Sequence, residues 1–167
     1  MAFSVTAFKS RGLQRGGYRP ALFEVVVTYV GQEFSFLCQS TNVPAMTMGV
    51  IEVPYFGRKI KIAGDRTYAE WTTTVMVEED FAARNALEEW SMDMNRGDSN
   101  VRALVNEEYK REAQVRLYGK AGNVIRTYNL AGCWPSDVGT IELDWNTTDT
   151  IGTYTVTWAF DFMNEGS

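Results

Sequence analysis

Carboxylates are the most plausible agents of chemistry in this 167-residue chain, because it contains no histidine. That absence removes the commonest general base, the usual serine or cysteine triad and most zinc or iron sites. Two acidic pairs remain for acid and base work, Glu88 with Glu89 and Glu142 with Asp144. Neighbouring positions on a helix point apart, and i, i+2 positions on a solvated strand face usually serve solubility. A hydrolase built on Glu142 and Asp144 would need both carboxylates to converge in a cleft. The two cysteines, Cys38 and Cys133, lie inside apolar strand-like runs. They read as reduced core residues, with a disulfide as the alternative. No set of residues calls for a cofactor, a metal or a catalytic constellation.

A second group concerns binding. Arg58, Lys59, Lys61 and Arg66 crowd the stretch "FGRKIKIAGDR" in a chain of net charge -5. Lys59 and Lys61 alternate with Ile60 and Ile62, which spreads the charge along one solvated strand face instead of stacking it as a nucleic-acid patch. Residues 1–20 hold Lys9, Arg11, Arg15 and Arg19 and no acid, so removing these four charges from the total leaves -9 for residues 21–167. A body of that sign repels a phosphate backbone. The four basic residues are therefore assigned to contacts with other copies of the same acidic chain, and DNA contact through the basic arm stays open. Three short matches, "RGD" at Arg96–Asp98, "NTT" at Asn146–Thr148 and "YGKAGN" at Tyr118–Asn123, read as turns.

Such residues need elements to hold them. The length fits one domain burying roughly 70% of its unfolded surface. Hydrophobic residues at 45% and charged residues at 22% are ordinary for a globular protein, and no apolar run reaches the length of a membrane span. We divide the chain into a basic N-terminal arm, residues 1–20, and one β domain, residues 21–167. The start lacks a secretory pattern, and Ala2 excludes myristoylation, so the expectation is a chain that stays in the cytosol where it is made.

"LFEVVVTYV", "GQ" and "EFSFLC" predict a hairpin, with Phe23, Val25, Val27 and Tyr29 on one face and Phe34, Phe36 and Cys38 on the other strand's core face. "AMTMGVIEVPYFG" is too irregular for a central strand. "RKIKIAG" and "AEWTTTVMV" resume the strand signal, the latter with Trp71, Thr73, Val75 and Val77 on one face. "EEDFAARNALEEWSMDMN" predicts the one helix, with Ala83, Ala86, Leu87, Trp90 and Met94 in a stripe and Glu78, Glu79 and Asp80 at the positive end of its dipole. "REAQVRLY" and "NVIRTYNLAGCW" read as a second hairpin. "TIELDW" and "TIGTYTVTWAFDF" complete the strands, the first placing Ile141, Leu143 and Trp145 opposite Thr140, Glu142 and Asp144.

Three segments, "LFEVVVTYVGQEFSFLCQSTNVPA", "RKIKIAGDRTYAEWTTTVM" and "GCWPSDVGTIELDW", resemble the major tail tube proteins of contractile-tailed bacteriophages. The resemblance runs from about Pro20 to Phe162 and is most specific at Ala63–Trp71 and Trp134–Trp145. It implies a mainly β fold, an antiparallel β-sandwich or barrel with one flanking α-helix, related to the inner tube of type VI secretion. It further implies hexameric rings stacked as a hollow tube inside a contractile sheath, in the virion tail, after assembly in the host cytoplasm. The implied partners are further copies of itself, the sheath, baseplate and tape-measure proteins, and DNA transiently in the channel, with no stable membrane association, no cofactor and no chemistry.

The residues add their own expectations. Pairing each sheet edge to the next subunit would close a ring and remove the edges. The segment Ala45–Gly57 is expected to be an extended loop or hairpin reaching the next ring through Met46, Met48, Val50, Ile51, Val53 and Tyr55. Glu142, Asp144, Thr153, Thr155 and Thr157 are candidates to line the lumen. The helix is expected outside the wall, presenting Arg84, Glu88 and Asp93 to the sheath. A minor tube-like baseplate or terminator protein and a monomeric β-sandwich binding module are the alternatives.

Overall fold

The computed structural model describes residues 5, 9, 10, 16–99, 102 and 108–166. Arg11 and Arg15 of the basic arm lie outside them. The elements are β1 (Phe23–Val27), α1 (Glu33–Leu37), β2 (Cys38–Thr41), β3 (Met46–Tyr55), β4 (Arg58–Tyr68), β5 (Trp71–Met76), α2 (Ala82–Met94), β6 (Arg111–Tyr118), β7 (Val124–Val138), β8 (Thr153–Ala159) and β9 (Phe162–Gly166). Seven strands form one antiparallel system in the order β1-β6-β7-β8-β5-β2, with β9 also on β7. β3 and β4 form a separate two-stranded sheet.

β7 belongs to both layers. Its first part pairs β6 and, through Thr127–Ala131, also β9, whereas Trp134–Val138 pairs β8. The bend falls at Gly132, which has φ 66°. The positive φ favours glycine, and a Cβ there would also overlap the Asp161 carboxylate. Opposite it, the Asp161 backbone N–H donates to Ala131 O at 2.9 Å and Lys110 pairs with the Asp161 carboxylate at 2.7 Å. This break divides "TIGTYTVTWAFDF" into β8 and β9, where the pattern predicts one strand. Phe162 starts β9 half exposed.

Three tryptophans hold the layers together. Trp158 lies 5.4 Å from Trp71 and 6.0 Å from Trp90 between ring centroids, with Phe34 edge-on at 5.9 Å. All four rings are fully buried. Each indole N–H has an acceptor: Trp158 donates to Thr73 Oγ1 at 2.9 Å, Trp71 to Thr41 Oγ1 at 2.9 Å and Trp90 to Tyr109 O at 2.8 Å. The expected stripe of α2 is present, with Ala83, Leu87 and Trp90 buried and Met94 packed against the core. The helix begins after Phe81, which is in the left-handed region at φ 56°, and Asp80 Oδ1 accepts from the Ala82 N–H at 3.1 Å.

Two expected strands are corrected. "EFSFL" is the helix α1, because Phe34, Leu37 and Cys38 are buried at i, i+3, i+4 spacing while Phe36 is 82% exposed. Gly31, at φ 88°, turns the chain there and accommodates the switch of period. "TIELDW" is not a strand: residues 139–152 form an irregular loop in which Leu143 and Trp145 are exposed and Ile141 alone packs on the core. Asp144 Oδ1 accepts from the Asn146 N–H at 3.0 Å, an Asx turn that interrupts the alternation. Glu142 and Asp144 thus sit on a loop and not on a strand face. The two cysteines are free and buried.

Trp90→Ala should destabilise the fold by about 3–5 kcal/mol, as a large-to-small change at a fully buried site. Chemical denaturation of the purified subunit measures it, and a neutral effect would place the stripe outside the core.

Burial raises Cys38 from 9.0 and Tyr154 from 10.0, each to about 12, and pushes Cys133 up further. Because the folded state holds these protons more tightly, their contribution is intact below the ordinary values of 9.0 and 10.0 and declines as pH rises toward the folded values. The unfolding midpoint should therefore fall between pH 9 and 11, and thiol reagents should remain inert toward the folded chain at pH 8.

Candidate functional site

The β3–β4 hairpin is the part of the chain least accounted for by its own fold. Every residue of β3 is exposed, and so is nearly all of β4. A ten-residue strand spans about 33 Å, so the hairpin stands well away from a domain of this size. At its root the Ala69 N–H donates to Ala45 O at 2.9 Å and Tyr68 lies against Phe160.

Register sorts the residues onto two faces. Ile51 faces Ile62 and Val53 faces Ile60, making one aliphatic face that continues to Tyr55 opposite Arg58. Glu52 faces Lys61 and Pro54 faces Lys59 on the other face, where Lys59 Nζ meets Glu52 Oε2 at 2.7 Å. Beyond a bulge at Gly49 and Gly64, Met48 pairs with Arg66 and Met46 with Tyr68. A Cβ on Gly64 would lie 3.2 Å from the Gly49 backbone, so small residues allow the strands to cross closely there. The structure thus brings Met46, Met48, Val50, Ile51, Val53 and Tyr55 onto the same element as Arg58, Lys59, Lys61 and Arg66. Ile60, Ile62 and Phe56 belong with them.

Phe56 was not legible as special. It occupies the tip with Gly57, both at positive φ (45° and 73°), the condition of the type I′ turn that favours Asn-Gly. A β-carbon in this region costs about 1 kcal/mol, yet Phe56 is 89% exposed, its ring perpendicular to that of Tyr55 with the centroids 4.6 Å apart. The signal was an aromatic where a turn residue belongs.

A hydroxyl-rich face lies on the body. Thr72 faces Thr157, Thr74 faces Thr155 and Met76 faces Thr153, on the side of β5 and β8 opposite the tryptophans. β2, β5 and β8 contain no charged residue. Thr153, Thr155 and Thr157 are together here, but Glu142 and Asp144 are not part of this face.

The 139–152 loop borders an open cleft of about 580 Å³, lined by Val77, Phe81, Ile141, Leu143, Trp145 and Ile151 together with Glu78, Glu79, Glu142 and Asp144. Leu143 is 90% and Trp145 99% exposed. Arg84, expected to face a partner, is instead committed within the chain. It donates to Glu88 Oε1 at 2.7 Å and to Gly139 O at 3.0 Å, and lies 5.0 Å from the Tyr154 ring centroid. Among the described residues no cluster of His, Cys, Asp and Glu is grouped to hold a metal.

The exposed hairpin thus stands apart from a β body whose apolar side chains are largely buried. The family model "Phage tail tube protein" matches residues 5–164. The chain belongs to the phage tail tube protein family. It is 37% identical over 155 residues to "Tail tube protein gp19" of Enterobacteria phage T4, covering 92% of this chain and 95% of that protein. Two solved structures of an extracellular contractile injection system, PVC, share the fold. One is its sheath/tube terminator in the extended state (TM-score 0.69, 18% identity, 90% of this chain and 97% of the other). The other is its sheath-tube complex (TM-score 0.62, 16% identity, 99% of each chain). This chain is accordingly a structural tail tube subunit and a component of the virion tail.

Proposed function

We propose that copies of this chain close into hexameric rings that stack as a hollow tube inside a contractile sheath, conduct DNA and perform no chemistry. The observation that carries this reading is the β3–β4 hairpin, whose aliphatic face of Ile51, Val53, Ile60 and Ile62 is exposed in the single subunit. Soluble monomers rarely expose contiguous apolar patches beyond roughly a few hundred Å², so this face has a partner in the working protein. Another ring supplies it. Among the described residues β1 and β2 end the strand order, and their outer backbone groups are ones that ring closure would cover or pair.

The threonine face of β5 and β8 supports a lumen lined by Thr153, Thr155 and Thr157. Neutral hydroxyls let a polyanion slide without holding it, since there is no cation to bind phosphate. Glu142 and Asp144, on the exposed 139–152 loop, are not part of this face. The absence of chemistry is supported by Asp144 serving an Asx turn and by the lack of histidine. The exposed side of α2 with Glu88 and Asp93 is the surface offered to the sheath, and the tube ends meet baseplate and tape-measure proteins.

Negative-stain microscopy of concentrated subunit should show rings or tubes, and dispersed single particles would overturn the reading. Replacing Val50 and Ile51 with Asp should leave a soluble, folded subunit that no longer polymerises, with tubes of normal length as the contrary result. Changing Lys59 and Lys61 together to Glu should alter subunit stability by less than about 1 kcal/mol, because these side chains are exposed. The concentration needed for assembly should rise, because each contact recurs at every interface. Normal assembly with loss of a salt-dependent DNA affinity would instead assign these charges to DNA.

A further inference from the structure

We infer that the cavity between the end of the basic arm and the β6–β7 turn binds a phosphate monoester carried on a flat, largely apolar body, which is the chemistry of a nucleotide. The cavity measures about 680 Å³, and its lining includes Tyr18, Arg19, Leu22, Tyr118, Lys120 and Ile125. Small-molecule sites fall in the range of roughly 300–1,000 Å³. None of its residues belongs to the β3–β4 hairpin, the threonine face or the 139–152 loop. Its ligand can therefore be sought on the dispersed subunit.

Charge decides the class of ligand. No acid lines the cavity, although the chain holds 21 Asp and Glu residues. Arg19 and Lys120 do line it, and neither forms an ion pair among the described residues. Lys120 is held against the arm, since a Cβ on Gly16 would lie 3.1 Å from its Nζ. Glu24 on β1 is engaged elsewhere: its carboxylate accepts from the Tyr118 hydroxyl and meets Arg116 Nη1 at 3.5 Å. Two uncompensated cations facing one space repel each other, and an anion placed between them removes that cost. A phosphate monoester carries about -1.5 to -2 charge at neutral pH and three acceptor oxygens, enough for both. A carboxylate matches only one.

Shape decides what the phosphate is attached to. A bare phosphate leaves most of the cavity empty, and the remaining wall is Leu22, Val124, Ile125 and the two tyrosines, with Val124 and Ile125 half exposed. A planar base covers such a surface and stacks on a tyrosine ring. The walls are already in place. Leu22 O accepts from the Tyr118 N–H at 2.9 Å and from the Tyr18 hydroxyl at 2.8 Å, which fixes the arm to the strand. The turn is closed by the Gly119 N–H on Asn123 O at 2.7 Å and the Gly122 N–H on Gly119 O at 3.0 Å. A site formed in advance spends little of its binding free energy on ordering itself.

Nuclear magnetic resonance titration of the isotope-labelled subunit with adenosine monophosphate, below the concentration at which it assembles, tests this. The amides of Tyr18, Arg19, Leu22 and Tyr118–Ile125 should shift. Adenosine, which lacks the phosphate, and inorganic phosphate, which lacks the base, should each bind about tenfold more weakly or worse. Arg19→Gln and Lys120→Gln replace exposed side chains, so each should keep the parent unfolding midpoint while weakening the nucleotide about tenfold. Lys59→Gln should change nothing. A single-stranded oligonucleotide with a terminal phosphate separates the two sources of this chemistry: tighter binding than the mononucleotide assigns the site to a strand end, and equal or weaker binding assigns it to a free nucleotide. Absence of shifts at millimolar nucleotide, shifts confined to residues outside the cavity, adenosine binding as well as its monophosphate, or full affinity in both Gln variants would each overturn the inference. The tube reading would stand in every one of those cases.

Discussion

The packing of Trp158 is the contact on which the rest of the structure depends. It sits on β8, at the meeting of β5, the bent half of β7 and α2, and touches Trp71, Trp90 and Phe34 from three different elements. An indole buried this deeply must place its N–H, and Thr73 on the neighbouring strand accepts it. Thr73 is consequently the one buried polar residue of the described core. Leaving that N–H without an acceptor would cost about 1–3 kcal/mol, so the register between β5 and β8 is fixed by a hydrogen bond as well as by the ladder. That register puts Thr72, Thr74, Thr155 and Thr157 outward together, and the hydroxyl face is therefore a consequence of how the core is closed.

Stability and assembly are divided between different parts of the chain. The body buries its apolar side chains around the tryptophans, and little of that depends on the hairpin. The hairpin keeps its own apolar residues outside, and a two-stranded ribbon in water is marginal by itself. Its glycines at the bulge and the strained tip are poor choices for rigidity. They become intelligible if its final conformation is set by a partner, which allows substitutions in the hairpin to separate folding from polymerisation.

Much of this was readable from period and turn chemistry, and the exceptions have physical causes. The α2 stripe, the buried Trp71, Thr73 and Val75, and the β6–β7 hairpin follow from strong periodicity that tertiary contacts do not contradict. Glu33–Leu37 was misread because five residues containing two phenylalanines satisfy either period, and the decision lay with Gly31 and the packing of Phe34 under Trp158. The "TIELDW" alternation was genuine, yet alternation makes a strand only where a neighbouring edge is free to pair, and here an Asx turn and the cleft intervene. For the candidate site, Met46 to Tyr55 and the basic run could be listed from sequence, but not that they face one another across a single ribbon. Phe56 and the cleft were invisible because exposure of a large apolar side chain is a property of the fold.

The charge distribution sets a condition on any assembly of this chain. Residues 21–167 carry -9, so two copies approaching at random repel each other. Repulsion between exposed charges decays over about 8–10 Å at physiological ionic strength, whereas direct contacts between opposite charges act at a few Å. Salt at that level therefore suppresses the long-range term more than the short-range one. An acidic subunit can then remain dispersed when dilute and still join in the proposed tube, because Arg58, Lys59, Lys61 and Arg66 are carried together on the exposed ribbon of β4. The same sign disfavours condensation of the body on DNA, so in the proposed tube one distribution of charge would serve both contact between copies and passage of a polyanion.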